Sequence, residues 1–64
     1  MTDDEIDDAA RHMLSEAVLH RVQPGGDEWL NLLVRRYPEA TLTDREYIAM
    51  QAMQMIVDLR QRER

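Results

Sequence analysis

The chain has 64 residues, 13 of them acidic and 8 basic, for a net charge of −5 with both histidines neutral. That length allows one small domain whose lone core is marginal, since only about 60% of the unfolded surface can be buried. The absence of cysteine excludes disulfide and thiolate–metal support and fits a reducing cytoplasm, and the negative balance weighs against general binding to a phosphate backbone while suiting a basic protein surface.

A first helix is expected over about 3–22. Thr2 and Glu5 are spaced as a T-x-x-E capping box, and Asp3, Asp4 and Glu5 stand where the helix dipole favours negative charge. Ile6, Ala10, Met13, Leu14, Ala17 and Val18 recur at three- and four-residue spacing and define a buried stripe. The run Gln23-Pro24-Gly25-Gly26 ends it. A second helix is expected over about 28–37, capped by Asp27 and carrying Trp29, Leu30, Leu32, Leu33, Val34 and Tyr37. It is apolar on most sides, as suits a middle helix touching both neighbours. Trp29 is assigned to the core, with a binding hot spot as the alternative. Pro38 closes the helix by disfavouring helical geometry at Tyr37.

A third helix is expected over about 44–62. Thr43 and Glu46 read as a second capping box, with Leu42 and Tyr47 placed as a hydrophobic staple. Arg60, Arg62 and Arg64 complement its negative dipole end. At about 100° per residue, Met55, Ile48, Leu59, Ala52, Ile56 and Ala49 form the core face, and Gln61, Gln54, Asp58, Gln51 and Arg62 the wet side. The apolar arc exceeds the roughly 100° that packing on one neighbour needs. Met50, Met53 and Val57, at i, i+3 and i+7, form a seam that a second helix could use, and methionine adapts readily to irregular partners. The fold expected is all-α, a small three-helix bundle with a short middle helix, open to self-association. No apolar run reaches the roughly 18 residues of a membrane span, and the acidic start has the wrong sign for a secretory leader.

Function is sought on the surface. Asp3, Asp4, Glu5, Asp7 and Asp8 make a negative knob, and the dipole accounts for Asp7 and Asp8 less well than for the first turn. Such a knob can occupy a cationic groove by imitating phosphate spacing. Asp3, Asp4, Asp7 and Asp8 are therefore the candidate docking residues, with Glu16 and Leu19 extending the same side. Asp8, His12, Glu16 and His20 form a column at four-residue spacing. Its drift of about 40° per step prevents convergence of all four on one ion, and it reads as a solvated face rather than a metal site. No metal or cofactor is expected.

Catalysis needs preorganised groups in a cleft that excludes water. There is no cysteine nucleophile, no G-x-S-x-G elbow and no glycine-rich phosphate loop, so no enzyme is expected. A helix-turn-helix reading would put Arg45, Tyr47 and Gln51 on bases and Arg35 and Arg36 on phosphates. Asp44 and Glu46 at the same end, the long loop and the net charge oppose it.

In size and charge alone the chain looks like the compact acidic proteins, such as anti-CRISPR proteins, with which phages and mobile elements disable host defence complexes. No motif carries that likeness. It implies an inhibitor or adaptor docking on a basic, nucleic-acid-handling surface of a larger complex. The alternative is a homodimeric regulatory or accessory subunit joined through Met50, Met53 and Val57.

Overall fold

The computed structural model describes residues 1–62 and contains three helices, α1 (Asp3–His20), α2 (Asp27–Arg36) and α3 (Leu42–Arg62). The protein is an all-α three-helix bundle, and among the described residues there is no strand. No helix among them is long and apolar enough to cross a membrane. Arg64, expected at the dipole end of the third helix, lies outside the described residues.

α1 starts as its capping box dictates. The Thr2 hydroxyl accepts from Glu5 N at 3.2 Å and the Glu5 carboxylate accepts from Thr2 N at 3.2 Å. It ends two residues earlier than expected. Arg21 enters the left-handed region at φ 55, and the Arg21 and Val22 amides return to Val18 O at 3.3 Å and Ala17 O at 3.0 Å. Those two bonds satisfy carbonyls that a helix end would leave open. The buried face of α1 comprises Ala9, Ala10, Met13, Glu16 and Ala17. It is rotated toward Ala9 and Glu16 from the expected stripe, because α2 covers that side, and Val18 is left 81% exposed.

α2 starts at Asp27 rather than after it. Gly26 is the cap and makes no side-chain bond, so Asp27 is a first-turn acid and not the cap. Only Trp29 and Leu33 are fully buried in α2. Trp29 is core: its indole Nε1 donates to Met13 O at 2.8 Å. α2 packs lightly on both α1 and α3, and Leu30 and Val34 remain exposed. As expected of a middle helix it touches both neighbours, with Leu30 bordering a groove shared with α3.

α3 starts two residues before the expected position. The box that closes is Thr41 with Asp44, not Thr43 with Glu46. Thr41 Oγ1 accepts from Asp44 N at 3.1 Å, and Asp44 Oδ2 accepts from Thr41 N at 3.2 Å. Both pairs have the right spacing. The earlier one lengthens the helix by two residues, with Arg45 N donating to Thr41 O at 3.0 Å. Leu42 is then inside the helix and exposed, as is Tyr47, so they do not staple the entry. Ile48 and Ala52 are buried as expected, with Ala49, Met55 and Ile56 at the rim, but Leu59 faces solvent.

α1 and α3 run side by side in the same direction. Asp44 lies by Met1 at one end, and Gln51 bonds to Asp7 further along. α2 is the return between them, and the Tyr37–Thr41 link brings the chain back beside Met1 and Glu5. Alanines 9, 10, 17 and 52 contribute half of the core cluster, which lets helix backbones approach closely. Among the core side chains Trp29, Met13, Leu33 and Ile48 are the large ones.

Candidate docking surface

The acidic start of α1 divides by what each carboxylate already does. Glu5 is committed to the cap, and the Thr2 amide and hydroxyl hold its pKa below the ordinary value. Asp7 is half-buried; its carboxylate takes Arg11 Nη2 at 2.8 Å and the Gln51 amide at 3.3 Å. Asp8 is exposed and shares the same guanidinium at 3.7 Å. Asp3 and Asp4 are exposed, and among the described residues neither has an ion pair or a side-chain hydrogen bond. They are thus the carboxylates most available to a cation from outside.

Asp3, Asp4 and Asp7 line a groove between the first turns of α1 and the amino-terminal half of α3. Across it stand Tyr47 and Met50, 54% and 65% exposed. Ile6 and Gln51 lie between. Asp44 closes one end; its pKa is lowered, first by the Thr41 backbone hydrogen bond. Met50 also borders a second, more apolar groove formed with Pro24, Gly25, Leu30, Ala49 and Met53. The fold therefore joins two sequence features that are far apart in the chain, the acidic knob and the methionine seam, through Met50.

The seam is not uniformly free. Met50 and Val57 are exposed, but Met53 is half-buried. Its terminal methyl lies 2.9 Å from where a side chain on Gly25 would begin. Gly25 has φ +86, so the backbone favours glycine there, and the Met53 side chain packs over it.

Glu16 and Leu19 do not extend the acidic surface. The Glu16 side chain is only 8% exposed, and three side chains claim its two oxygens. Arg36 Nε lies 3.2 Å from Oε1, His12 Nε2 3.3 Å from Oε1, and His20 Nε2 2.8 Å from Oε2. Burial pushes the carboxyl up, but the Arg36 charge and hydrogen bond, then His20 and His12, leave it net lowered. Asp8, His12 and His20 of the column are exposed and the histidines stand beside a carboxylate, as expected of a solvated face; Glu16 alone departs from it, buried at the contact of α1 with α2, and Arg36 is the partner that sequence spacing missed. Its guanidinium supplies the counter-charge, and among the described residues no group of three acids and histidines is arranged to hold a metal ion. Leu19 is 75% exposed but sits about 24 Å along α1 from Asp3, at the far end from the groove.

The helix-turn-helix candidates are arranged unfavourably for phosphate. Gln51 already donates to Asp7, Arg45 is half-buried with its Nε shielded from solvent, and Tyr47 shares its groove with Asp3 and Asp4. Arg36 is engaged by Glu16. Compared with known protein families, with curated proteins and with solved structures, the chain matches none.

Proposed function

We propose that this chain is a cytoplasmic protein-binding module, an inhibitor or adaptor, that docks its acidic groove on a basic surface with which a larger protein handles nucleic acid. The observation that carries the reading is the groove itself. Asp3 and Asp4, unpaired among the described residues, face a space walled by exposed Tyr47 and Met50. A cationic side chain seated there meets carboxylates, while its aliphatic stem meets an aromatic ring and a thioether. Anionic groups on a rigid helix end can stand in for phosphates and draw the partner in by charge. The role is binding rather than catalysis, in the manner of the small anti-defence inhibitors of phages and mobile elements.

The test uses a labelled arginine-rich helical peptide as the basic probe. Fluorescence anisotropy is expected to report binding that weakens with salt and is displaced by duplex DNA competing for the peptide. Asp3→Asn with Asp4→Asn should weaken it by about tenfold or more, at about 1.4 kcal/mol per tenfold. The Thr2–Glu5 cap is untouched by these changes, so the helical circular dichroism should persist. Equal affinity of the double variant and the wild type would remove the acidic groove from the mechanism.

A further inference from the structure

We propose that the outer stripe of α3 pairs antiparallel with the same stripe of a second copy of this chain. The stripe is Glu46, Met50, Met53, Val57 and Arg60. Its spacing of four, three, four and three keeps all five on one line of a helix, the repeat that two packed helices use. The opposite face of α3 is already spent: Ile48 and Ala52 are fully buried within the bundle. The stripe points away from that core, with Met50 65% and Val57 44% exposed. Met53 sits at its centre, half-buried against Gly25.

Charge selects the occupant and its direction. Glu46 stands at one end of the apolar segment and Arg60 at the other, both exposed. Neither has an ion-pair partner among the described residues. Residues 46 and 60 are equidistant from 53. A two-fold axis at Met53 therefore sets Glu46 of each copy against Arg60 of the other, and brings Met50 to within one residue of register with Val57. A parallel pair would set Glu46 on Glu46 and Arg60 on Arg60, which like-charge repulsion disfavours. An isologous contact of this kind closes on itself and forms a dimer, not a filament.

The surface of the single chain agrees. A compact protein of 7.6 kDa exposes roughly 4,300 Å², whereas this chain exposes 5006 Å². The Cα extents, 38 × 25 × 14 Å, describe a thin slab. Its α3 stripe shares only Met50 with the acidic groove, so the pairing does not rest on the function proposed above, and it would cover that one wall of the groove.

Sedimentation equilibrium at high micromolar concentration in moderate salt tests it. The wild type is expected to be a dimer. Glu46→Arg alone and Arg60→Glu alone should each weaken association by about tenfold or more, because each places like charges at both ends. The equimolar mixture of those two variants should regain it as a heterodimer, since one chain then carries both bases and the other both acids. Met50→Lys, at an exposed position, should give a folded monomer. A wild type that stays monomeric would leave the stripe to a foreign helix and overturn the proposal. A mixture no more associated than its components would overturn it too.

Discussion

Glu16 shows how far a residue's role depends on a neighbour the local sequence does not contain. Its two histidine partners are one helical turn away on either side and can be read from i, i+4 spacing. Arg36, which supplies the permanent charge, comes from 20 residues further along. Once it arrives, the carboxylate can be buried, because an enclosed charge needs a hydrogen-bonded counter-charge. The folded-state pKa is net lowered, so the unfolded chain binds this proton more readily. The stabilisation is complete above the ordinary carboxylate range and is lost as pH falls through the folded value. Glu16→Gln should therefore lower the melting temperature at neutral pH and shrink the further loss on acidification. Thermal unfolding followed by circular dichroism checks it; an unchanged acid response would show that Glu16 is not the titrating clasp. The same partnering withdraws Glu16 from the docking surface to which its charge alone had assigned it.

The elements were legible in number and kind, and so were the start of α1 and the reach of α3 to Arg62, but the end of α1 and the start of α3 were not. Helix periodicity and the breakers at Pro24, Gly25 and Pro38 mark three helices, since these residues cannot continue a helix without loss of bonding or strain. The choice between two overlapping caps was invisible, because Thr41–Asp44 and Thr43–Glu46 share one spacing. Hydrogen bonding decides for the first. Thr41→Ala should accordingly cost about 1 kcal/mol, while Thr43→Ala, in the exposed first turn, should stay within about 0.5 kcal/mol. Urea unfolding midpoints measure both, and the reverse ranking would place the helix start at Thr43 after all. The rotation of the α1 buried face was equally hidden. A stripe through Ile6, Ala10 and Met13 can be widened on either side, and the packing of α2 selects the side with Ala9 and Glu16 and leaves Val18 in solvent.

At the scale of the whole molecule, three carboxylates tie together places where elements begin or meet. Glu5 closes the start of α1, Asp44 the start of α3, and Glu16 the contact of α1 with α2. All three are held below their ordinary pKa, Glu5 and Asp44 first by cap backbone hydrogen bonds. Each contributes stability that is complete above the ordinary carboxylate range of about 4 and lost as pH falls through its lowered folded value. The urea midpoint should be level from neutral pH to about 5 and then fall with acid. A midpoint that rises as pH drops below that range would contradict these assignments. A 64-residue slab with so little enclosed volume has small reserves against such losses.

The docking surface divides along the same line. The acidic knob and the methionine seam were each readable, because charge runs and helical spacing are local properties. Their meeting at Met50 was not, since it requires α1 and α3 to lie side by side in one direction. By itself the sequence determined an all-α chain with an acidic end and more apolar surface on its third helix than one neighbour can use. Only the tertiary structure decided which carboxylates remain available, which methionine packs over Gly25, and that Glu16, within an otherwise exposed column, pairs with an arginine of another helix. Local propensity sets what each segment becomes, but burial is a property of pairs of segments, and charge becomes reactive or silent only when its nearest counter-charge is known.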